Sequence, residues 1–180
     1  MRLLDASFAE PGNADSQMVT RPAGDSYARF GHNLLPVDWK PAVKTSPVFN
    51  YPYERTREAL ETMARNGEPD PCHGYKLRYV NPATGDSAMP TIGTFMQFLP
   101  KDFASAPYRS SDGTVYVAVE GEGETEIGDT SFRWKPRDVF VVPSWSRHRH
   151  RAKGEAVLFS FSDRPVQEKL GFWREERGGA

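Results

Sequence analysis

His148 and His150 stand two residues apart in the run Arg147-His148-Arg149-His150-Arg151. On an extended strand, positions i and i+2 point to one face, so both imidazoles are presented together. Such a pair is a two-imidazole clamp for a transition metal, or two hydrogen-bonding groups in a polar pocket. Cys72-His73 places a thiol beside an imidazole. Adjacent residues in an extended segment face opposite ways, and neither has a partner at metal-ligand spacing, so Cys72 reads as a buried small hydrophobe. Arg78, Arg109, Arg147 and Arg149 are forks able to grip a carboxylate, weighed against ordinary surface or interface charge. Trp39, Trp134, Trp145 and Trp173 read as packing anchors or contact residues rather than as a substrate cage.

The elements that must carry these groups follow from periodicity. Residues 1–88 form an irregular arm, within which Asp5 to Val43 is rich in Pro, Gly, Asn and Asp, with Phe8, Tyr27, Phe30 and Trp39 as isolated anchors; such a segment drapes over a surface. One helix is expected there, Tyr53 to Asn66, whose Thr56, Leu60, Met63 and Ala64 share a face and which stops at Gly67. From Thr91 onward the period changes to two, and short β-rich runs alternate with turn signals. Gly128-Asp129 between Thr125-Glu126-Ile127 and Thr130 to Trp134 is a two-residue hairpin signal. Ser162-Asp163 opens a short helix through Pro165 to about Leu170. Residues 89–180 therefore read as all-β, and so many short antiparallel strands must close or stack to hide their edges, as a small barrel or double-sheet jelly roll with a central cavity.

Composition bounds the partners. The 180 residues carry 23 Lys+Arg against 24 Asp+Glu, a net charge of −1. That balance has no cationic stripe to neutralise a polyphosphate, so nucleic acid is excluded as a partner. No run of apolar residues suits a membrane helix, and Met1-Arg2-Leu3-Leu4-Asp5 is followed by no secretory h-region. A single cysteine forms no internal disulfide. A cytoplasmic protein is the expectation.

Val117-Ala118-Val119-Glu120-Gly121-Glu122-Gly123, then Pro136-Arg137-Asp138-Val139-Phe140-Val141-Val142-Pro143, then His148, resemble the strand–turn–strand core of a cupin. Outside that core, Leu34-Leu35-Pro36-Val37-Asp38-Trp39, Ser46-Pro47-Val48-Phe49-Asn50-Tyr51-Pro52-Tyr53, Lys76 to Gly85 and Phe159 to Glu168 resemble the C-terminal half of gentisate 1,2-dioxygenases and their salicylate and hydroxynaphthoate relatives. The resemblance spans about Leu4 to Glu176. It implies a cupin-type double-stranded β-helix, one half of a two-cupin, Fe(II)-dependent enzyme that uses oxygen to cleave gentisate to maleylpyruvate.

In such enzymes the working iron site belongs to the N-terminal cupin. Aligned on Gly121, the positions that the resemblance assigns to a first His-x-His pair hold Tyr108 and Ser110, and the glutamate position holds Thr114. Only His148 matches a ligand position, and Arg137 replaces the glycine usual in the second motif's turn. No metal is therefore expected in this chain. Gln97, Tyr108, Ser110, Thr114, His148 and His150 are expected to line a vestigial cavity, with His148 bonded to Tyr108, Ser110 or Thr114 and His150 at the rim. The implied role is structural and oligomerising, beside an iron-bearing N-terminal cupin or in a homo-oligomer. The alternative is a stand-alone cupin that binds a metal or a small aromatic carboxylate through His148 and His150.

Overall fold

Ten short strands and three helices make up the computed structural model, which describes residues 21–32 and 34–178. The anchor expected at Phe8 and the reading of Met1 to Asp5 lie outside the described residues. The helices are α1 (Asp25–Phe30), α2 (Tyr53–Asn66) and α3 (Arg164–Lys169). The strands are β1 (Tyr75–Arg78), β2 (Gly93–Leu99), β3 (Tyr108–Ser110), β4 (Thr114–Glu120), β5 (Gly123–Ile127), β6 (Thr130–Trp134), β7 (Val139–Val142), β8 (His148–Ala152), β9 (Ala156–Ser162) and β10 (Glu175–Arg177).

They form two five-stranded antiparallel sheets, ordered β1-β2-β9-β4-β7 and β10-β3-β8-β5-β6. Sequence neighbours mostly fall in opposite sheets, so the chain winds as the double-sheet roll that alternation and turn spacing predict. The hairpin at Gly128-Asp129 is formed, with Ile127 opposite Thr130. The arm also contributes a strand: β1 lies within residues read as irregular and extends the first sheet beside β2.

The two faces of the first sheet do different work. Inward, Leu99, Tyr116, Ala118, Phe140, Val142, Ala156 and Leu158 meet Trp134 and Ala152 of the second sheet. Outward, Tyr75, Met96, Phe98 and Val157 receive α2 through the fully buried Leu60. Arg57 fastens the helix from the side. Its guanidinium lies 4.8 Å from the Phe98 ring centroid and reaches Glu120 at 3.2 Å and Glu155 at 3.3 Å. Arg57 and Ala64 face the barrel, while Met63, expected on the buried face, is 38% exposed.

Two backbone positions depend on residue type. Gly121 has φ +72°, and a Cβ there would lie 2.2 Å from the carbonyl oxygen of Glu155, so the turn between β4 and β5 admits only glycine. Arg137 occupies the same left-handed region, φ 78°, without that freedom. Its N–H donates to Ala118 O at 2.8 Å, which holds the turn in place. No helix among the described residues is long and apolar enough to cross a membrane.

Candidate functional site in the barrel interior

Strand β8 alternates buried and exposed residues along its length, and His148 and His150 are both buried on its inner face. Their ring centroids are 5.3 Å apart. The spacing therefore delivers both imidazoles to the interior, as a strand must. Each ring is held through Nδ1 by a different partner.

His148 Nδ1 lies 3.3 Å from the carbonyl oxygen of Ser146. A carbonyl only accepts, so Nδ1 carries the proton and Nε2 keeps a lone pair. The Tyr116 hydroxyl donates toward that Nε2 at 3.5 Å. Burial pushes the His148 pKa down to about 4, so the ring is neutral at pH 7.

His150 is held by a side chain, Thr125. Trp134 Nε1–H donates to Thr125 Oγ1 at 2.8 Å, and Thr125 Oγ1 lies 2.9 Å from His150 Nδ1. The indole is a donor only, so the threonine oxygen accepts from it, and the direction of the second hydrogen bond, between Thr125 Oγ1 and His150 Nδ1, follows the imidazole tautomer. Burial, reinforced by His148 and Lys76, holds the ring neutral with its pKa well below 6.5. When the threonine hydroxyl is the donor, the single ring proton sits on Nε2, an atom with no hydrogen-bond partner among the described residues.

The other expected cavity residues lie on inner faces of the two sheets. Gln97 is fully buried on β2, with both Nε2 and Oε1 unpartnered. Tyr108 and Ser110 are buried on β3, and Thr114 is buried at the start of β4. Tyr108 meets His148 edge-on at 5.6 Å, without a hydrogen bond between them. Two details differ from the sequence reading. The partners of His148 are Tyr116 and Ser146 rather than Tyr108, Ser110 or Thr114, because its ring leans along β8 toward β4. His150 is not at the rim but 1% exposed, since Thr125 stands directly opposite it in the β5–β8 register.

Of four further groups at the interior, Lys76 and Asp112 carry no sequence signal, whereas Cys72 and His73 stand out in the sequence as a pair and Cys72 is buried as expected. Lys76 stands opposite Gln97 across β1 and β2, with its ammonium 5.0 Å from the Phe95 ring and 5.9 Å from the Tyr116 ring. Burial pushes its pKa down to about 8. His73 packs edge-on against Tyr108 at 4.5 Å, and burial together with the Lys76 charge takes its pKa down to about 3. Asp112 is buried; burial alone would raise its pKa, but hydrogen bonds from Ser162, Ser110 and Trp173 outweigh this and hold it low. Cys72 is buried, its thiol turned toward the carbonyl of Pro107 at 3.8 Å.

The arginines weighed as carboxylate forks are engaged elsewhere. Arg109 and Arg147 both grip Glu176, which fixes β10 along β3, while Arg149 pairs with Glu126 on the outer face. Arg78 reaches the carbonyl of Gly85. The tryptophans are contact residues: Trp39 packs on Phe30, Trp145 lies under Arg109, and Trp173 lies under Arg164 while donating to Asp112 at 2.9 Å.

A ferrous ion of the kind the resemblance implies asks for about three facial donors and open positions for substrate and oxygen. The interior does not offer that set. His148 presents a lone pair, His150 is bonded to Thr125 through Nδ1, and their neighbours Tyr108, Ser110 and Thr114 bring hydroxyls rather than imidazole or carboxylate. No group of three or more His, Cys, Asp or Glu that could hold a metal occurs among the described residues. The chemistry of the donors suits an oxygen-rich acceptor better than a cation.

Residues 94–161 match the family described as Cupin domain. The chain is 58% identical over 175 residues to a protein described as gentisate 1,2 dioxygenase 1 of Aquipseudomonas alcaligenes, covering 97% of this chain and 50% of that relative. It is 35% identical to a 5-aminosalicylate 1,2-dioxygenase of a Comamonas species, covering 98% and 47%. Among solved structures, a salicylate 1,2-dioxygenase from Pseudoaminobacter salicylatoxidans with gentisate adducts superposes with TM-score 0.77 at 31% identity, over 87% of this chain and 44% of that one. The chain thus spans about half the length of the curated relatives it matches.

Proposed function

Because the chain belongs to the gentisate 1,2-dioxygenase family, as a cupin spanning about half the length of its relatives, we propose that it is the C-terminal half of such an enzyme. It acts joined to, or assembled with, an N-terminal cupin that carries Fe(II). In that assembly gentisate is opened by oxygen to maleylpyruvate at the other half's iron, and this half supplies structural support and oligomer contacts. The observation that carries the division of labour is the donor set of the interior. Two imidazoles on β8 with no group of three or more His, Cys, Asp or Glu able to hold a metal among the described residues leave a facial iron triad incomplete.

The outer face of the first sheet supports an assembled state. Beyond α2, Val139 and Val141 on the edge strand β7 are 62% and 54% exposed, and Phe161 beside them is 36% exposed. Val115 and Val117 stand between these residues in register. A contiguous apolar sheet face of this kind marks a contact surface, and the occupant we assign is the iron-bearing half.

The alternative, a stand-alone cupin with a metal on His148 and His150, is disfavoured by the same donor chemistry. The test is to measure iron content and oxygen uptake with gentisate on the chain alone, and again after co-expression with the N-terminal cupin half of the 58% identical relative. The expected result is no uptake from the chain alone and uptake from the pair. Near-stoichiometric iron with turnover by the isolated chain would overturn the proposal.

A further inference from the structure

Three unpartnered polar side chains and one cation share the barrel interior. Gln97, His150 and Ser160 are 0%, 1% and 0% exposed, and Gln97 Nε2, Gln97 Oε1, His150 Nε2 and Ser160 Oγ lack hydrogen-bond partners among the described residues. Leaving so many polar atoms unmatched in a buried volume costs about 1–3 kcal/mol for each, so a partner for them is expected. The register brings them together. Lys76 stands opposite Gln97, and Ser160 lies beside Tyr116 on β4 and Phe95 on β2, all on the inner face. Tyr116 in turn meets the His150 ring from the opposite sheet at 5.0 Å.

The polarity of this set is one-sided. Lys76 Nζ is a donor only, Gln97 Nε2 brings two N–H groups, His150 Nε2 donates in the tautomer whose Nδ1 accepts from Thr125, and Ser160 either donates or accepts. No carboxylate lies within ion-pairing distance of Lys76 among the described residues. Asp112, the carboxylate that most favours the Lys76 charge, is engaged by Trp173 and Thr114 instead. Lys76 also retains some solvent exposure, which marks the open end of the site.

We propose that the interior of this barrel is a binding site for a small monocarboxylate, whose two oxygens accept from Lys76 Nζ, His150 Nε2–H and the Gln97 amide. One cation among neutral imidazoles matches one negative charge. Ser160 Oγ and Gln97 Oε1 add a place for a hydroxyl on the same ligand. The rings of Phe95 and Tyr116 flank the ammonium and exclude larger polar groups. The site belongs wholly to this half and does not depend on the iron-bearing partner, so its failure and that of the assembly reading are separable.

The experiment is titration of the full chain with sodium acetate and with sodium glycolate, against sodium chloride at constant ionic strength. Histidine ring nitrogens are followed by NMR, with calorimetry alongside. One saturable site per chain is expected, with Kd on the order of 1 mM, a shift confined to the His150 Nε2–H signal among the rings, and tighter binding of glycolate. Lys76→Met removes the charge without adding bulk and is expected to weaken binding roughly tenfold or more. Ser160→Ala, a smaller change, is expected to erase the preference for glycolate while acetate still binds. Absence of saturation, saturation that leaves the His150 ring unmoved, or undiminished binding by folded Lys76→Met would each overturn the proposal and leave the interior to ordered water.

Discussion

Thr125 and His150 face each other across β5 and β8, with Oγ1 and Nδ1 2.9 Å apart. That contact decides what the second histidine of the pair can do. Trp134 already donates to the threonine oxygen; with the hydroxyl as donor to Nδ1, the ring presents Nε2–H to the interior. Thr125→Val keeps the shape and removes the hydroxyl. It leaves the indole N–H and Nδ1 both buried without partners, so a loss of about 1–3 kcal/mol is expected in urea unfolding. Ring nitrogen spectra of the variant should show a mixture of tautomers where the parent shows one. An unchanged single tautomer would remove the basis for assigning His150 as a donor.

Acid sensitivity follows from the interior histidines. The pKa values of His148 and His73 are pushed down to about 4 and about 3, while the unfolded chain titrates them near 6.5. The unfolded state therefore binds more protons below pH 6.5, and stability falls as pH drops from 6.5 toward 4, by on the order of 3 kcal/mol for His148. The depressed carboxyls of Asp70 and Asp112 act in the same direction only nearer their ordinary value of 3.8. Urea midpoints at pH 7.5 and pH 5 isolate the histidines, and a lower midpoint at pH 5 is expected. His148→Gln should flatten the dependence.

Arg137 tests the turn between β6 and β7. With φ 78° it sits where an L side chain costs about 1–2 kcal/mol. Arg137→Gly relieves that strain and gives back part of it through the greater freedom of glycine in the unfolded chain. A net gain of about 0.5–1 kcal/mol is expected, read as a higher thermal midpoint with unchanged spectra. A loss would mean that the arginine side chain makes a contact that outweighs its backbone.

These cases also show how far the residues alone carry the reading. The alternation from Thr91 onward and the Gly128-Asp129 hairpin announce the two sheets, because side-chain direction in a strand is a local property. For the same reason His148 and His150 are legible as a pair. Their partners are not: the hairpin pairs β5 with β6, but Thr125 meets His150 only through the β5–β8 register, which no local pattern specifies. Lys76 is hidden for a different reason. A lysine in a proline-rich stretch reads as solvated, and only the pairing of β1 with β2 turns it inward. The Glu176 clamp on Arg109 and Arg147 likewise depends on β10 folding back along β3.

The apolar face of β7 supplies the test of assembly. Val141 lies on an edge strand, its side chain outward and 54% exposed, opposite Val115. Val141→Glu adds a charge where water already reaches, so the fold of the isolated chain is expected to be preserved, within about 0.5 kcal/mol by urea unfolding. Burying that carboxylate against an apolar partner without a counter-charge is strongly unfavourable. Association with the N-terminal cupin half should therefore weaken by roughly tenfold or more, measured by sedimentation of the mixed halves, with oxygen uptake lost in parallel. Undiminished association by a well-folded Val141→Glu chain would place the contact elsewhere on the barrel.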